Sequence, residues 1–245
     1  MSLYIGENKM SLHIGETKVK LNALNGDYII SDGKLVWANP SLYLSNEYID
    51  DKTIRPYINT GISQDSNSDL ECVLYTYTRT PSINNCVPFG CWQLVDSANK
   101  IYAPTMFWHW NSQNDVDFMF GKEKLDGGSL YNKKHKVVLK DKKYFIDDVL
   151  KKEFTSEFEN EGKTTLFVLP IYYGSKFSYV DYPYAGRIYS YKAWNNGVLV
   201  RHFVPVPAGL QIGSFTVPSN GMWDIVTQQF FGNSGTGEFS YGRDE

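Results

Sequence analysis

The chain has 245 residues, enough for one large β domain with a small appendage or for two modest domains. Its net charge of -3, without a long basic run, argues against nucleic acid as a partner. No apolar run reaches the length of about 18 residues that spans a membrane, and no signal peptide is visible, so no membrane insertion is expected.

The composition favours a β-rich fold made in a reducing compartment. Aromatic residues make up 16% of the chain, and they fit the pleated, half-buried surface of a strand. The 3 cysteines, Cys72, Cys86 and Cys91, form an odd set without a CxxC pair. We therefore expect buried free thiols rather than a disulfide framework or a zinc site.

The N-terminus contains an internal repeat with a period of about nine residues, in which Ser2–Lys9 is followed by Ser11–Lys18. Each unit alternates apolar and polar residues before a Gly-Glu turn, which predicts one short strand per unit. Two such strands are not stable alone in water. Residues 1–21 are thus predicted to be a docking or oligomerisation module, and the alternative is a hairpin that caps the main domain. The apolar docking candidates are Leu3, Ile5, Leu12 and Ile14.

Residues 22–45 are predicted to be an ordered connector, with a short strand at Tyr28–Ile30 and a break in the pattern at Trp37–Pro40. Residues 46–245 then form a succession of short strands, spaced by about ten residues and separated by turn residues, which indicates a sandwich or a barrel. The clearest predicted strands are Leu70–Tyr77, Met106–Trp110, Val116–Phe120, Lys136–Lys140, Tyr144–Ile146, Thr165–Leu169, Gly186–Trp194, Val198–Val204 and Gln228–Phe231.

Several segments resemble a known family. Pro56–Ile62 is similar to the opening strand of laminin-G-like, concanavalin A-like jelly rolls, and His135–Leu139 and Tyr144–Asp147 follow in the expected order. The stretch Gly186–Gly237 is the most similar, with a hairpin turn at Asn196-Gly197. The resemblance covers 46–245 and implies an all-β, two-sheet antiparallel jelly-roll β-sandwich, with the small N-terminal β module before it.

Domains of this kind are common in bacteriophage and prophage structural proteins, such as tail fibre and capsid decoration proteins. The resemblance implies a virion protein, made in the bacterial host cytoplasm, that displays a lectin-like domain for adhesion to host-surface or environmental glycans. The implied partners are other virion proteins, copies of itself in a homo-oligomer, and host-surface carbohydrate. The alternative is a purely structural decoration or tail component, whose faces are protein interfaces; a polysaccharide-degrading enzyme is less favoured.

Catalysis is not expected, because the Glu-x-Asp-x-x-Glu motif of jelly-roll glycosidases is missing. The nearest carboxylate pairs are Asp69 with Glu71 and Asp115 with Asp117. Since apolar residues alternate with the second pair, its carboxylates are predicted to face solvent. No cofactor and no resident metal are expected, although a calcium contribution is left open. The oxygen donors considered for calcium are Asn111, Asn114 and Asp115.

Two aromatic clusters are candidate ligand sites. Trp108 and Trp110 point to one face of a predicted strand, where they form either a stacking platform for sugars or part of the core. Asn111 and Gln113 would supply hydrogen bonds beside them. The second cluster contains Tyr172 and Tyr173, which are predicted to lie in a loop and to bind a ligand or another subunit.

Overall fold

The computed structural model describes residues 12–14, 17–19, 26–46, 56–77, 85–94, 100–109, 116–126, 128, 130, 132–160, 162–167, 170–173, 176–179 and 186–245. Within these residues all regular structure is β, which confirms the predicted class. The strands, in chain order, are β1 (Leu12–Ile14), β2 (Thr17–Val19), β3 (Tyr28–Ser31), β4 (Lys34–Ala38), β5 (Leu42–Asn46), β6 (Ile58–Ser63), β7 (Ser68–Thr76), β8 (Asn85–Gly90), β9 (Trp92–Leu94), β10 (Lys100–His109), β11 (Val116–Gly121), β12 (Glu123–Asp126), β13 (Lys134–Lys140), β14 (Lys143–Ile146), β15 (Val149–Glu153), β16 (Lys163–Leu166), β17 (Pro170–Tyr173), β18 (Lys176–Tyr179), β19 (Gly186–Asn195), β20 (Val198–Val206), β21 (Gln211–Ile212), β22 (Phe215–Thr216), β23 (Gly221–Asp224), β24 (Gln229–Phe231) and β25 (Ser240–Arg243).

Ten of the described strands form the larger sheet, in the order β15-β14-β13-β7-β19-β20-β23-β24, with β5 beside β19 and β25 beside β5. Alternation along β7 sets the two faces of this sheet. Leu70, Cys72 and Leu74 are fully buried, whereas Glu71 and Val73 between them are half-buried. One face therefore points into the core, and the other, called here the outer face, points away from it.

Nine of the described strands form the second sheet, in the order β18-β17-β9-β10-β8-β16-β6, with β11 beside β10 and β12 beside β11. Large aromatic residues from the two sheets meet in the core between them. The ring centroids of Phe118 and Tyr144 are 4.0 Å apart, and those of Phe89 and Tyr191 are 5.9 Å apart. The chain alternates between the sheets as it proceeds, so the predicted two-sheet jelly-roll sandwich is confirmed.

The strand pairs within the two sheets are antiparallel, as predicted, with one exception among the described pairs. β17 lies parallel to β9, and Ile171 is the register partner of Trp92. The buried thiols are also confirmed where the side chains are described, since Cys72 and Cys91 are free and buried.

The prediction that Asp117 faces solvent is wrong. Its neighbours Val116, Phe118 and Phe120 are fully buried as expected, but Asp117 itself is only 2% exposed. The strand β12 pairs beside β11, and the side chain of its Lys124 places Nζ 2.6 Å from Asp117 Oδ2. An alternating sequence pattern shows which residues share a face of a strand. It does not show whether side chains from a neighbouring strand bury that face.

The second nine-residue unit is a hairpin rather than the predicted single strand. β1 pairs antiparallel with β2, with Leu12 opposite Val19 and Ile14 opposite Thr17. The prediction was wrong because a unit of nine residues has room for two three-residue strands around a short connection. Of the docking candidates, Leu12 and Ile14 lie in β1, and Leu3 and Ile5 lie outside the described residues.

Residues 26–46 pack against the sandwich over their whole length. β5 is part of the ten-stranded sheet, between β19 and β25. The hairpin formed by β3 and β4, called here the β3–β4 hairpin, packs on the outer face of that sheet. Its Tyr28 hydroxyl donates a hydrogen bond to the Pro205 carbonyl oxygen at 3.0 Å. The predicted break at Trp37–Pro40 begins too early, because Trp37 and Ala38 lie within β4 and the strand ends only before Asn39 and Pro40.

A second, smaller core lies under the β3–β4 hairpin. It joins the β3–β4 hairpin to the outer face of the sheet and to the short hairpin formed by β21 and β22. Its buried members are Tyr28, Ile30, Leu35, Leu42, Val204, Val206, Leu210, Ile212, Val217 and Trp223. The hairpin is thus fixed to the sandwich by burial of apolar surface.

Candidate functional site

A groove of about 340 Å³ lies between β4 and the outer face of the ten-stranded sheet. One wall is formed by the chain from Val36 to Pro40. The floor is formed by side chains of β7, β19 and β20, and Lys134 and Tyr189 lie among the residues that line it. This volume is within the range of about 300–1,000 Å³ that is typical of small-molecule sites.

The floor of the groove contains a row of polar side chains from three neighbouring strands. Lys192 in β19 is the register partner of Glu71 in β7 on one side and of His202 in β20 on the other. Lys192 Nζ donates a hydrogen bond to Glu71 Oε1 at 2.8 Å. The three side chains share the outer face because residues directly opposite each other in a sheet point to the same side.

His202 is neutral in this setting. Burial, and then the positive charge of Lys192, lower the pKa of its imidazole to about 4. A neutral imidazole has one nitrogen that donates and one that accepts a hydrogen bond. The backbone N–H of His202 donates to Asp224 Oδ1 at 2.8 Å, so a fully buried carboxylate fixes the position of the strand here.

The wall of the groove is apolar and partly open to solvent. Trp37 is 39% exposed and Val36 is 40% exposed, and Ile225 adds apolar surface to the same groove. The Gln228 side chain holds this wall in place. Its Oε1 accepts a hydrogen bond from the Leu35 backbone N–H at 2.9 Å, and its Nε2 donates to the Leu35 carbonyl oxygen at 2.8 Å.

Lys134 stands over the face of Tyr189, with Nζ 3.6 Å from the ring centroid. Nζ donates a hydrogen bond to the Pro40 carbonyl oxygen at 3.0 Å and lies 3.6 Å from Asp244 Oδ2. Burial lowers the pKa of Lys134, although the carboxylate of Asp244 acts in the opposite direction. This part of the groove therefore holds an ammonium group that has lost some of its water.

The structure does not bring the sequence-predicted ligand residues into this groove. Trp108 lies in β10, where its backbone is paired with β8 and β11, and Tyr172 and Tyr173 lie in β17. All three belong to the nine-stranded sheet, and the prediction of a loop at Tyr172 and Tyr173 is wrong. Trp110, Asn111 and Gln113 lie outside the described residues, as do the calcium candidates Asn111, Asn114 and Asp115.

Sequence reasoning found parts of the groove without joining them. It named Glu71 as one of a pair of carboxylates with Asp69, and it predicted the strand Val198–Val204, which contains His202. Trp37 was missed because the hairpin turn before it was not used as a signal. Asp32 and Gly33 have φ angles of 49° and 74°, and such a turn between alternating segments indicates a hairpin whose second strand contains Trp37.

The described residues contain no group of three or more His, Cys, Asp or Glu side chains that could hold a metal ion. Nor is there, in the part of the chain with described structure, a helix of the length and apolar character needed to cross a membrane.

The comparison with solved structures gives only distant similarity. No protein-family profile and no curated protein sequence matches the chain. Among solved structures, a native heptameric SAP-like pentraxin from Limulus polyphemus aligns with a TM-score of 0.49 and 9% sequence identity. The alignment covers 85% of this chain and 98% of the pentraxin. At this level of similarity neither a ligand nor an assembly is transferred from the pentraxin to this chain.

Proposed function

We propose that the chain is a carbohydrate-binding module and that the groove beside the β3–β4 hairpin binds its sugar. The observation that carries this proposal is the exposed indole of Trp37 in the wall of a groove whose floor is the polar row Glu71, Lys192 and His202. A sugar ring has flat apolar patches and a rim of hydroxyl groups. It is matched by an aromatic surface together with a few fixed hydrogen-bonding groups.

The polar row suits hydroxyl groups because it offers both donors and acceptors. Glu71 is an acceptor, Lys192 is a donor, and neutral His202 provides one of each. Strand pairing sets their backbone positions, and the 2.8 Å ion pair restrains the side chains of Glu71 and Lys192, so less side-chain freedom is lost there when a ligand binds.

The same composition argues for binding rather than hydrolysis. Glycoside hydrolysis usually requires two carboxyl groups on either side of the scissile bond. Among the described residues that line the groove, Glu71 is the one carboxylate, and it is held by Lys192. The proposal is therefore non-covalent recognition without turnover.

We further propose that the module is part of a virion, where it recognises host-surface or environmental glycans as a homo-oligomer attached to other virion proteins. The support is the resemblance of residues 46–245 to phage jelly rolls and the separate hairpin of β1 and β2 before them. A structural decoration or tail role is the second candidate. It is favoured by β15, an outermost strand of the ten-stranded sheet, whose Val149 and Leu150 are 56% and 51% exposed.

A glycan array probed with the full chain tests the proposal, followed by calorimetry on the best ligand. Trp37→Ala is expected to weaken binding at least about tenfold, because it removes the aromatic surface. The matched control is Phe215→Ala, which removes another aromatic side chain, 41% exposed, that does not line the groove. Binding that survives Trp37→Ala would exclude this groove. No binding to any glycan, with normal incorporation into particles, would favour the structural role.

A further inference from the structure

We infer that the sugar bound in this groove carries an acidic group, a carboxylate or a sulfate or phosphate ester, and that Lys134 binds it. The inference rests on the proposed function and names the class of glycan. It starts from the charges of the groove. Lys134, Lys192 and Glu71 are the charged side chains among its described lining residues, with two positive charges against one negative charge. The chain as a whole has a net charge of -3, so the groove is positive on a negative protein.

The excess positive charge is located at Lys134. Glu71 and Lys192 neutralise each other through their 2.8 Å ion pair. The nearest carboxylate to Lys134 is Asp244, but Asp244 Oδ1 already accepts hydrogen bonds from Arg187 Nη1 at 2.8 Å and from the Tyr189 hydroxyl at 3.1 Å. Asp244 Oδ2 stays 3.6 Å from Lys134 Nζ, beyond a good hydrogen bond.

Lys134 can also be reached by a ligand. Its side chain is 38% exposed, and the one hydrogen bond that Nζ makes at short range, to the Pro40 carbonyl oxygen, uses one of its three donors. An anion placed beside Nζ would replace lost water by a charge-assisted hydrogen bond. Because Pro40 follows Trp37 in the wall, an acidic group at Lys134 and a ring on the indole can belong to one ligand.

The experiment uses three oligosaccharides of the same linkage: a neutral galactose disaccharide, its uronic acid form, and its sulfated form. Binding to the full chain is measured by calorimetry at low and at high salt. At least one acidic form is expected to bind about tenfold more tightly than the neutral sugar, and the difference is expected to shrink at high salt. Comparison of the two acidic forms tells carboxylate from sulfate.

The variant Lys134→Met is expected to remove the preference for the acidic sugar, so that the acidic and the neutral forms bind with similar affinity. The control is Lys136→Met, which changes a lysine two positions along β13 that is paired with Asp148 at 2.7 Å. If the unsubstituted chain bound acidic and neutral sugars with equal affinity, and Trp37→Ala abolished the binding of both sugars, this inference would be overturned and the proposed function would stand. An equal loss of affinity for the acidic sugar in Lys134→Met and Lys136→Met would also overturn it, since a general electrostatic attraction to the protein would then explain the preference. No binding of any saccharide would overturn both.

Discussion

Glu71 and Lys192 are direct register partners in β7 and β19, and Lys192 Nζ lies 2.8 Å from Glu71 Oε1. Because Lys192 is also the partner of His202, this ion pair is two thirds of the polar row in the groove. Its side chains are 22% and 28% exposed, which is enough for both to reach a ligand. The pair therefore links the stability of the sheet to the charge of the groove.

Replacing Glu71 by Gln is expected to separate these two effects. The free energy of unfolding should fall by less than about 1 kcal/mol, because a partly exposed pair is screened by water. Affinity for an acidic glycan should rise, since Lys192 loses its counter-charge. Denaturant unfolding and calorimetry measure the two changes. Weaker binding of the acidic ligand would show that Glu71 itself contacts the sugar.

The depressed pKa of His202 predicts acid sensitivity. The imidazole titrates near pH 6.5 in the unfolded chain and near pH 4 in the folded one, so the unfolded chain binds more protons between these values. The free energy of unfolding should therefore decrease as pH falls from 6.5 to 4. Urea unfolding at several pH values should show a shallower slope for His202→Gln than for the wild type. If His202→Gln and the wild type showed the same dependence of unfolding free energy on pH, His202 would not be the group responsible.

Glu123 is expected to stabilise the contact between the β11–β12 hairpin and the chain after β15. Its Oε1 accepts hydrogen bonds from the backbone and side chain of both Thr155 and Ser156, at 2.6–3.1 Å. Glu123→Ala should lower the free energy of unfolding by about 2 kcal/mol, because these bonds involve a charged acceptor. The control Glu159→Ala, at an exposed site nearby, should change it by less than about 0.5 kcal/mol.

The same carboxylate should make the protein less stable in acid. Burial raises the pKa of Glu123, but the hydrogen bonds from Ser156 and Thr155 outweigh it and lower the pKa from 4.5 to about 2. The stabilisation is therefore complete above pH 4.5 and is lost as the pH falls towards 2. Thermal unfolding of Glu123→Gln should show a weaker dependence on pH in this range. An unchanged dependence would place the acid-sensitive group elsewhere.

In the turn between β13 and β14, glycine in place of Lys142 is expected to make the folded protein more stable. Asp141 and Lys142 have φ angles of 51° and 60°, a conformation that side chains disfavour. Lys142→Gly should raise the free energy of unfolding by about 0.5–1 kcal/mol, although it removes the ion pair of Lys142 with Glu157. The reverse change, Gly197→Lys in the β19–β20 turn, where φ is 74°, should lower it by a similar amount. Effects of the opposite sign would contradict this.

Gln228 is expected to be a positioning residue for the groove wall. Gln228→Ala removes both hydrogen bonds to the Leu35 backbone and should allow β4 to move relative to the sheet. Affinity for the glycan should fall several-fold while the far-ultraviolet circular dichroism stays unchanged. Hydrogen exchange should become faster in β4 and not in β7. Faster exchange in both strands would indicate a global loss of stability instead.

The fold was largely predictable because strand signals are local. β7, β11, β13, β19 and β20 lie within a few residues of their predicted positions, and the Asn196-Gly197 turn has the positive φ angles of 48° and 74° that its residues allow. Alternation also placed Val116, Phe118 and Phe120 of β11 correctly in the core. These features depend on residues close together in the chain.

The groove was not predictable because it depends on which strands become neighbours. Lys192 and His202 are neighbours across the β19–β20 hairpin, but Glu71 is 121 positions from Lys192 and meets it only through the pairing of β7 with β19. The contact of Asp117 with Lys124 has the same origin, since it depends on the pairing of β11 with β12. The alternation of apolar and polar residues predicts which face of the sheet a residue lies on, but the pairing of strands determines its neighbours on that face.

The wall of the groove comes from a short continuous segment that precedes the strands of the sandwich and touches it through its own small core. Its outward positions, Lys34, Val36 and Trp37, are exposed, and the inward Leu35 is fully buried. If the groove binds a ligand as proposed, the exposed residues of β4 can be replaced without changing the sandwich. Randomising the exposed positions of β4, while Tyr28, Leu35 and Gln228 are kept, should give a library of binding specificities on an unchanged scaffold.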